Sequence, residues 1–484
     1  MRGTTVGMKA AVTEEIISRQ PPEAQTIIRL LLEKIASQEA EIAELKARTG
    51  ELERQVKGKT PQNSSLPPST KHPHARWQPP RRKSKKKRGG QPGHEKHERP
   101  LIPTDQCDKV QTLKPIECRR CSEKLSGTDP EPLRHQVWEL PEIKPHVTEY
   151  QQHRLVCPCC GESTCAELPA GVPVGQAGPR LVAFVALLMA YFRQSKRRTA
   201  LFLETILQQP CSAAWTVKLQ KQATDALRPS YDELAAALPQ QSHLGIDETP
   251  NKEGPLKTWL WAFVAAPFTV FALRSTRAAT VLGDLLTDCF DGVVMCDRAK
   301  MYWCLERLQW CWAHLKRDFQ ALIDSDDSQV KRLGNDLMRP TRKLFAAWAR
   351  YRDGTLTRAG MKRLMITIRA EIEGLLLRGA FSGNKRLVGM CNELYDHRQW
   401  LWTFLDHENV EPTNNGSERA LRHAVIWRKL SFGTQSASGS RFVETMLTVI
   451  ETCRQQRRNT FTFVADAVHA HFAGHSPASL LANV

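Results

Sequence analysis

The 484-residue chain lacks an apolar run long enough to cross a bilayer. Its longest, Leu181–Phe192, sits between Arg180 and Arg193 and falls short of the roughly 20 residues that a spanning helix needs. The first twenty residues lack the apolar core of a signal peptide, so no export is expected. Acidic charge is also scarce: 51 Asp and Glu stand against 69 Lys and Arg, leaving a net charge of +18 and a pI near 9.4. That imbalance points to a polyanionic partner. What is present suffices for real cores, since 41% of residues are hydrophobic, and the length implies several domains. Four of the fourteen cysteines cluster as two Cys-x-x-Cys pairs, which suggests metal binding in a reducing cytoplasm rather than disulfides.

Residues 1–57 read as an N-terminal helix. Ile28, Leu31, Ile35, Gln38, Ile42, Leu45, Thr49, Leu52 and Val56 alternate at spacings of three and four, the pattern of a short coiled coil and hence of a homo-oligomer. Residues 58–100 form a linker that cannot build a core. Its run Arg81, Arg82, Lys83, Lys85, Lys86, Lys87, Arg88 is expected to contact phosphates without reading sequence. Residues 101–170 carry Cys118-x2-Cys121 and Cys157-x2-Cys160, four thiolates suited to a structural Zn²⁺, with Cys159 a rival for Cys160. Residues 171–242 look all-helical, and "ETILQQPCSAAWTVKLQ" reads equally as a helix-turn-helix or as part of an ordinary bundle.

From residue 243 the texture changes to β-β-β-α-β-α-β-α. "SHLGIDETP" is a short apolar strand ending on Asp247 and Glu248, and "DGVVMCDRAKMYW" holds a buried strand, Val293–Cys296, ending on Asp297. If the fourth strand lies beside the first, the two aspartates open on one edge. Carboxylates that close stay ionised only with a cation between them, and hard oxygen ligands suit Mg²⁺ or Mn²⁺. A helix beside the first strand can supply a third carboxylate. Glu418, in "EPTNNGSERALRH", is the natural candidate, although Asn415-x2-Glu418 also has the spacing of a capping box.

"IDETP", "CDRAKMYW", "CWAHLKRDF" and "NNGSERALR" resemble the blocks of the insertion-sequence-66 (transposase C type) family of bacterial DDE transposases. "NSSLPPS", "GGQPGH" and the paired Cys-x-x-Cys resemble its N-terminal half. The resemblance implies an α/β ribonuclease H-like core at 243–324 and 409–484; Asp297 and Glu418 lie 121 residues apart against 50 for Asp247 and Asp297, so residues 325–408, which look helical, read as an insertion. The resemblance also implies Asp247, Asp297 and Glu418 as catalytic ligands of two Mg²⁺ or Mn²⁺ ions, and action on a mobile element's terminal inverted repeats and on target DNA. Accessory transposition proteins are a further implied partner, and the nucleoid the implied location. One departure stands out: the family's second aspartate is usually followed by Gly-Tyr, whereas Asp297 precedes Arg298 and Ala299, leaving Met301 or Tyr302 for the aromatic's place.

Cys311-x2-His314 resembles the family's Cys-x-x-His block and is expected to support the site or position DNA. Arg419 and Arg422 follow Glu418 on its helix. Arg422, one turn on, is a candidate partner for that glutamate or for a phosphate. Trp400 and Trp402 read as core residues, with base stacking the alternative. The mechanism expected is two-metal phosphoryl transfer, with no covalent protein–DNA intermediate. The rival functions are a zinc-containing DNA-binding regulator without catalysis and a metal nuclease that does not join strands.

Overall fold

A computed structural model describes residues 17–57, 100–287 and 289–481. The basic run Arg81–Arg88 lies outside the described residues. The chain divides into two units, residues 71–168 with 195–217, and residues 1–70, 169–194 and 218–484.

Helix α1 (Pro22–Lys57) is continuous over 36 residues. Its apolar side chains Leu31, Ile35, Ile42 and Leu45 are exposed along the heptad stripe. In the thiol-rich segment, β1 (Arg154–Val156) and β2 (Ser163–Cys165) form a short antiparallel hairpin. Helices α2 (Pro179–Ala190), α3 (Lys196–Leu207) and α4 (Ala213–Ala236) follow.

The sheet comprises β3 (His243–Glu253), β4 (Leu256–Val264), β5 (Thr269–Arg274), β6 (Val293–Cys296) and β7 (Leu308–Trp310), with α5 (Thr280–Leu286) between β5 and β6. Its order is β5-β4-β3-β6-β7, antiparallel across the first three strands and parallel across the last three. Helices then run α6 (Trp312–Ile323), α7 (Ser328–Arg352), α8 (Arg358–Ala380), α9 (Lys385–Asp396), α10 (Thr403–Asp406), α11 (Asn415–Ser431), α12 (Ala437–Gln455) and α13 (Thr460–Phe472). A mixed five-stranded sheet flanked by helices fits a ribonuclease H-like core, and α7–α10 are inserted between α6 and α11.

Both sheet edges are covered. The outward N–H groups of β5 at Thr269, Phe271 and Leu273 donate to Thr452 Oγ1, Thr448 Oγ1 and Glu444 Oε2 of α12, at 3.2, 2.9 and 3.0 Å. Four helical residues rise about 6 Å and two strand residues about 6.8 Å, so one acceptor per turn meets every second strand residue. Glu444 is fully buried and pairs with Arg228 at 3.0 Å and Arg441 at 2.8 Å. At the other edge, Thr403 Oγ1 donates to Leu308 O at 2.6 Å, and Gln309 Oε1 accepts from Phe404 N at 2.8 Å. The end of the insertion thus packs along β7. Trp402 is buried against Trp312, and Trp400 stacks on His397 at 4.4 Å. Both tryptophans therefore belong to packing inside the fold.

Candidate active site

Strand β3 does not end at Asp247. It runs on along β4 to Glu253, so Asp247 and Glu248 lie within the strand rather than at its end, as the apolar run alone suggests. What stops near Asp247 is the parallel partner. β6 pairs His243, Leu244 and Gly245 with Val293, Val294 and Met295, then ends at Cys296. Asp297 follows one residue beyond β6, and its charge reaches Asp247 on the neighbouring strand.

Asp247 is desolvated, and its carboxyl accepts one hydrogen bond, from Glu248 N at 2.9 Å. Its pKa is driven well above the usual carboxylate range, first by burial, then by the charges of Glu248 and Asp297, with Glu418 adding to them. Asp297 Oδ1 accepts from Ala299 N at 2.8 Å, which fixes the turn after β6. The residue between them explains the departure from Gly-Tyr. Arg298 is held by Asp318 of α6 at 2.7 Å and by Glu393 of α9 at 2.9 Å, tying the insertion to the core beside the second aspartate.

Glu248 is a fourth acid that the sequence reading did not place in the site. Its side chain is 2% exposed, and Arg277 Nε donates to it at 2.6 Å. Tyr302 OH donates a short hydrogen bond to its other oxygen. Burial pushes the Glu248 carboxyl up, while Tyr302 and Arg277 pull it back. Tyr302 is fully buried and edge-on to Trp261. Only the adjacency of Asp247 and Glu248 pointed to this role.

Glu418 stands in the first turn of α11, and the residue that places it is Asn414. This buried asparagine donates from Nδ2 to Ile246 O at 2.7 Å and accepts Ser417 Oγ at 2.7 Å. Its own N–H donates to Cys311 Sγ at 3.2 Å. It pins β3, the start of α6 and the start of α11 together. Gly245 makes the approach possible, because a Cβ there would collide with Ser417 Oγ and lie 2.9 Å from Asn414 Oδ1. The capping-box reading is therefore corrected. The N-cap is Asn414, not Asn415, with no side-chain cap hydrogen bond, and Glu418 does not fold back on the helix start. Its Oε1 accepts from Arg317 Nη2 at 3.1 Å and lies 3.6 Å from His314 Nε2. Arg317 of α6, not Arg422, is the partner of Glu418; Arg419 and Arg422 are exposed on α11.

Cys311 is buried at the N-cap of α6, and His314 lies in its first turn. Burial and the Arg317 charge lower the His314 pKa, keeping the ring neutral. Its Nδ1 is buried without a hydrogen-bond partner among the described residues, a deficit of about 1–3 kcal/mol. Among the described residues, Cys311, His314 and Glu418 bring one ligand atom each within 4.8 Å of one another; Asp247, Asp297 and Glu418 are not gathered that closely.

The two thiol knuckles share one local geometry. Cys118 N donates to Glu123 O at 2.8 Å and Ser122 N to Cys118 O at 2.9 Å. Cys157 N and Gly161 N repeat the pattern on Glu162 O and Cys157 O at the same two distances. Ser122 and Gly161 both take positive φ, 58° and 75°. Backbone N–H groups lower both leading thiols, Cys118 chiefly through Arg120 and Cys157 chiefly through Cys160. Preformed turns aiming N–H groups at sulfur fit a thiolate metal ligand. The knuckles themselves are not gathered, since no three of these thiols share a 4.8 Å cluster. No helix among the described residues is long and apolar enough to cross a membrane.

Comparison with known proteins falls on this same region. A family model described as "Transposase IS66 family" matches residues 174–441, more than half of the chain, and a "Family of unknown function (DUF6444)" matches 15–100. The chain is 24% identical to "Uncharacterized protein y4qI" of Sinorhizobium fredii (strain NBRC 101917 / NGR234). The match covers 42% of each protein, so the chain spans less than half the length of that relative.

Proposed function

This chain belongs to the IS66 transposase family, and from that premise we propose that it cuts and joins DNA at Asp247, Asp297 and Glu418, acting on the inverted repeats of its element and on target DNA. The observation that carries the reading is the crowding of acids at Asp247. Its burial, together with the Glu248, Asp297 and Glu418 charges, makes an ionised carboxylate there unstable without a cation. An all-carboxylate donor set fits Mg²⁺ or Mn²⁺.

Two such ions, when bound, activate the attacking water or 3′-OH and stabilise the leaving 3′ oxygen. The chain's own residues set the frame. Asp247 on β3 and Asp297 just past β6 would hold the cations, and Glu418 would supply the third carboxylate from α11. Glu248, clamped by Arg277 and Tyr302, keeps a second negative charge behind Asp247 and fixes the strand. Arg317 neutralises Glu418 when no cation is present. Cys311 and His314 support the start of α6 against Asn414 and Glu418.

The remaining parts serve binding. Cys118, Cys121, Cys157 and Cys160 would hold a structural Zn²⁺ once the two knuckles close on each other, the run Arg81–Arg88 contacts phosphates, and Arg419 and Arg422 extend that contact beside the site. The exposed apolar stripe of α1 pairs with a second copy as a coiled coil.

Asp247→Asn should abolish Mg²⁺-dependent cleavage of end-repeat DNA while leaving binding intact; unchanged cleavage would overturn the proposal. A strand-transfer assay with a pre-cleaved 3′-OH end separates a transposase from a nuclease that only cuts.

A further inference from the structure

Cys311, His314 and Glu418 come from two segments about a hundred residues apart, yet their ligand atoms all lie within 4.8 Å of one another. Glu418 Oε1 is 3.6 Å from His314 Nε2, close to the ligand–ligand separation around a tetrahedral Zn²⁺ with bonds of about 2.0–2.3 Å. Cys311 Sγ is already oriented: it sits at the N-terminus of a twelve-residue helix and accepts the Asn414 N–H at 3.2 Å. That hydrogen bond is the outer-shell contact typical of a metal thiolate. The His314 ring turns Nε2, the nitrogen that would bind, toward Glu418.

We propose that Cys311, His314 and Glu418 form a cation site of their own, selective for a thiophilic ion of the Zn²⁺ class, which inhibits the enzyme by withdrawing Glu418 from the aspartates. The inhibitory half of this inference rests on the role given to Glu418 above. Thiolate and imidazole favour zinc over magnesium, which keeps to oxygen ligands. The two sites therefore attract different ions but share one carboxylate, and Glu418 serves one at a time. Arg317 Nη2, 3.1 Å from Glu418 Oε1, holds the oxygen that an ion would take, so an ion must compete with it. The guanidinium sets the threshold at which zinc enters.

Co²⁺ titration of the full-length protein tests the site, read by the thiolate-to-cobalt charge-transfer band. The Cys118 and Cys157 knuckles also take cobalt, so the decisive quantity is the difference between wild type and Cys311→Ser or His314→Ala. Each variant should bind one equivalent fewer, and added Zn²⁺ should displace the missing signal in wild type alone. Equal cobalt stoichiometry in wild type and both variants overturns the site. In Mg²⁺-supported cleavage, Cys311→Ser should need at least about tenfold more zinc than wild type to halve its own zinc-free rate. Arg317→Gln, outside the ligand set, should need less zinc than wild type; unchanged sensitivity in both overturns the inhibition. Failure of the transposase reading looks different: Asp247→Asn would still cleave, whatever the cobalt difference.

Discussion

The thiol knuckles and the carboxylate centre are built on opposite plans. Each knuckle closes within six residues, from Cys118 to Glu123 and from Cys157 to Glu162, on two backbone hydrogen bonds and one left-handed residue. Asp247, Asp297 and Glu418 come from three distant segments, and their charges reach one another only because β3 pairs with β6 and α11 packs on β3. The knuckle is a local motif that any two-cysteine turn of this spacing can form. The carboxylate centre is a property of the whole sheet. Damage to a knuckle should therefore stay local, whereas damage to the sheet should reach the chemistry.

The largest effect that follows is at the second aspartate. Asp297→Asn should lower the cleavage rate about a thousandfold or more, equivalent to about 4 kcal/mol of transition-state stabilisation, with the melting temperature unchanged. A mild rate loss would mean that the register of β3 and β6 does not build the centre. Cys157→Ser should release zinc from residues 101–170, measured by metal analysis, yet leave urea unfolding of the sheet unit in place. A loss of sheet stability in that variant would erase the distinction between local and assembled sites. Gly245→Val pushes a side chain into Ser417 and Asn414 and should cost about 3 kcal/mol in urea titration, with cleavage falling as Glu418 is displaced. Smallest is Thr448→Val on α12. It leaves Phe271 N without an acceptor in a buried edge and should cost about 1–2 kcal/mol, with cleavage by the folded fraction unaltered.

Several parts of the molecule were legible before the fold was known. The strand Val293–Cys296 coincides with the apolar run read from sequence, and the helical insertion follows from the long gap between Asp297 and Glu418. Other parts were not. The run "SHLGIDETP" looks finished at its acids because the polar residues beyond it break the apolar pattern. The strand continues nonetheless, since β4 supplies a hydrogen-bonding partner as far as Glu253. Asn415 and Asn414 are indistinguishable as caps in sequence; the choice falls to Asn414 because its side chain reaches Ile246 O. Arg317 could not be selected over Arg422 for Glu418, as helical spacing favours the neighbour on the same helix.

The sequence by itself determined the residue types and the local geometry: acids at the ends of apolar runs, paired cysteines on tight turns, and one acceptor per turn along "ETMLTVIET". Spacing along a chain is enough for those, because turns, helices and strands have fixed periods. Tertiary structure alone decided which charges meet. Parallel pairing with β6 brought the Asp297 charge within reach of Asp247, and Asn414 with Gly245 set the approach of α11. The same packing turned Glu418 toward Arg317, His314 and Cys311. Electrostatic and coordination contacts act through space over a few ångströms, and residues a hundred positions apart acquire that distance only when the sheet and its helices close.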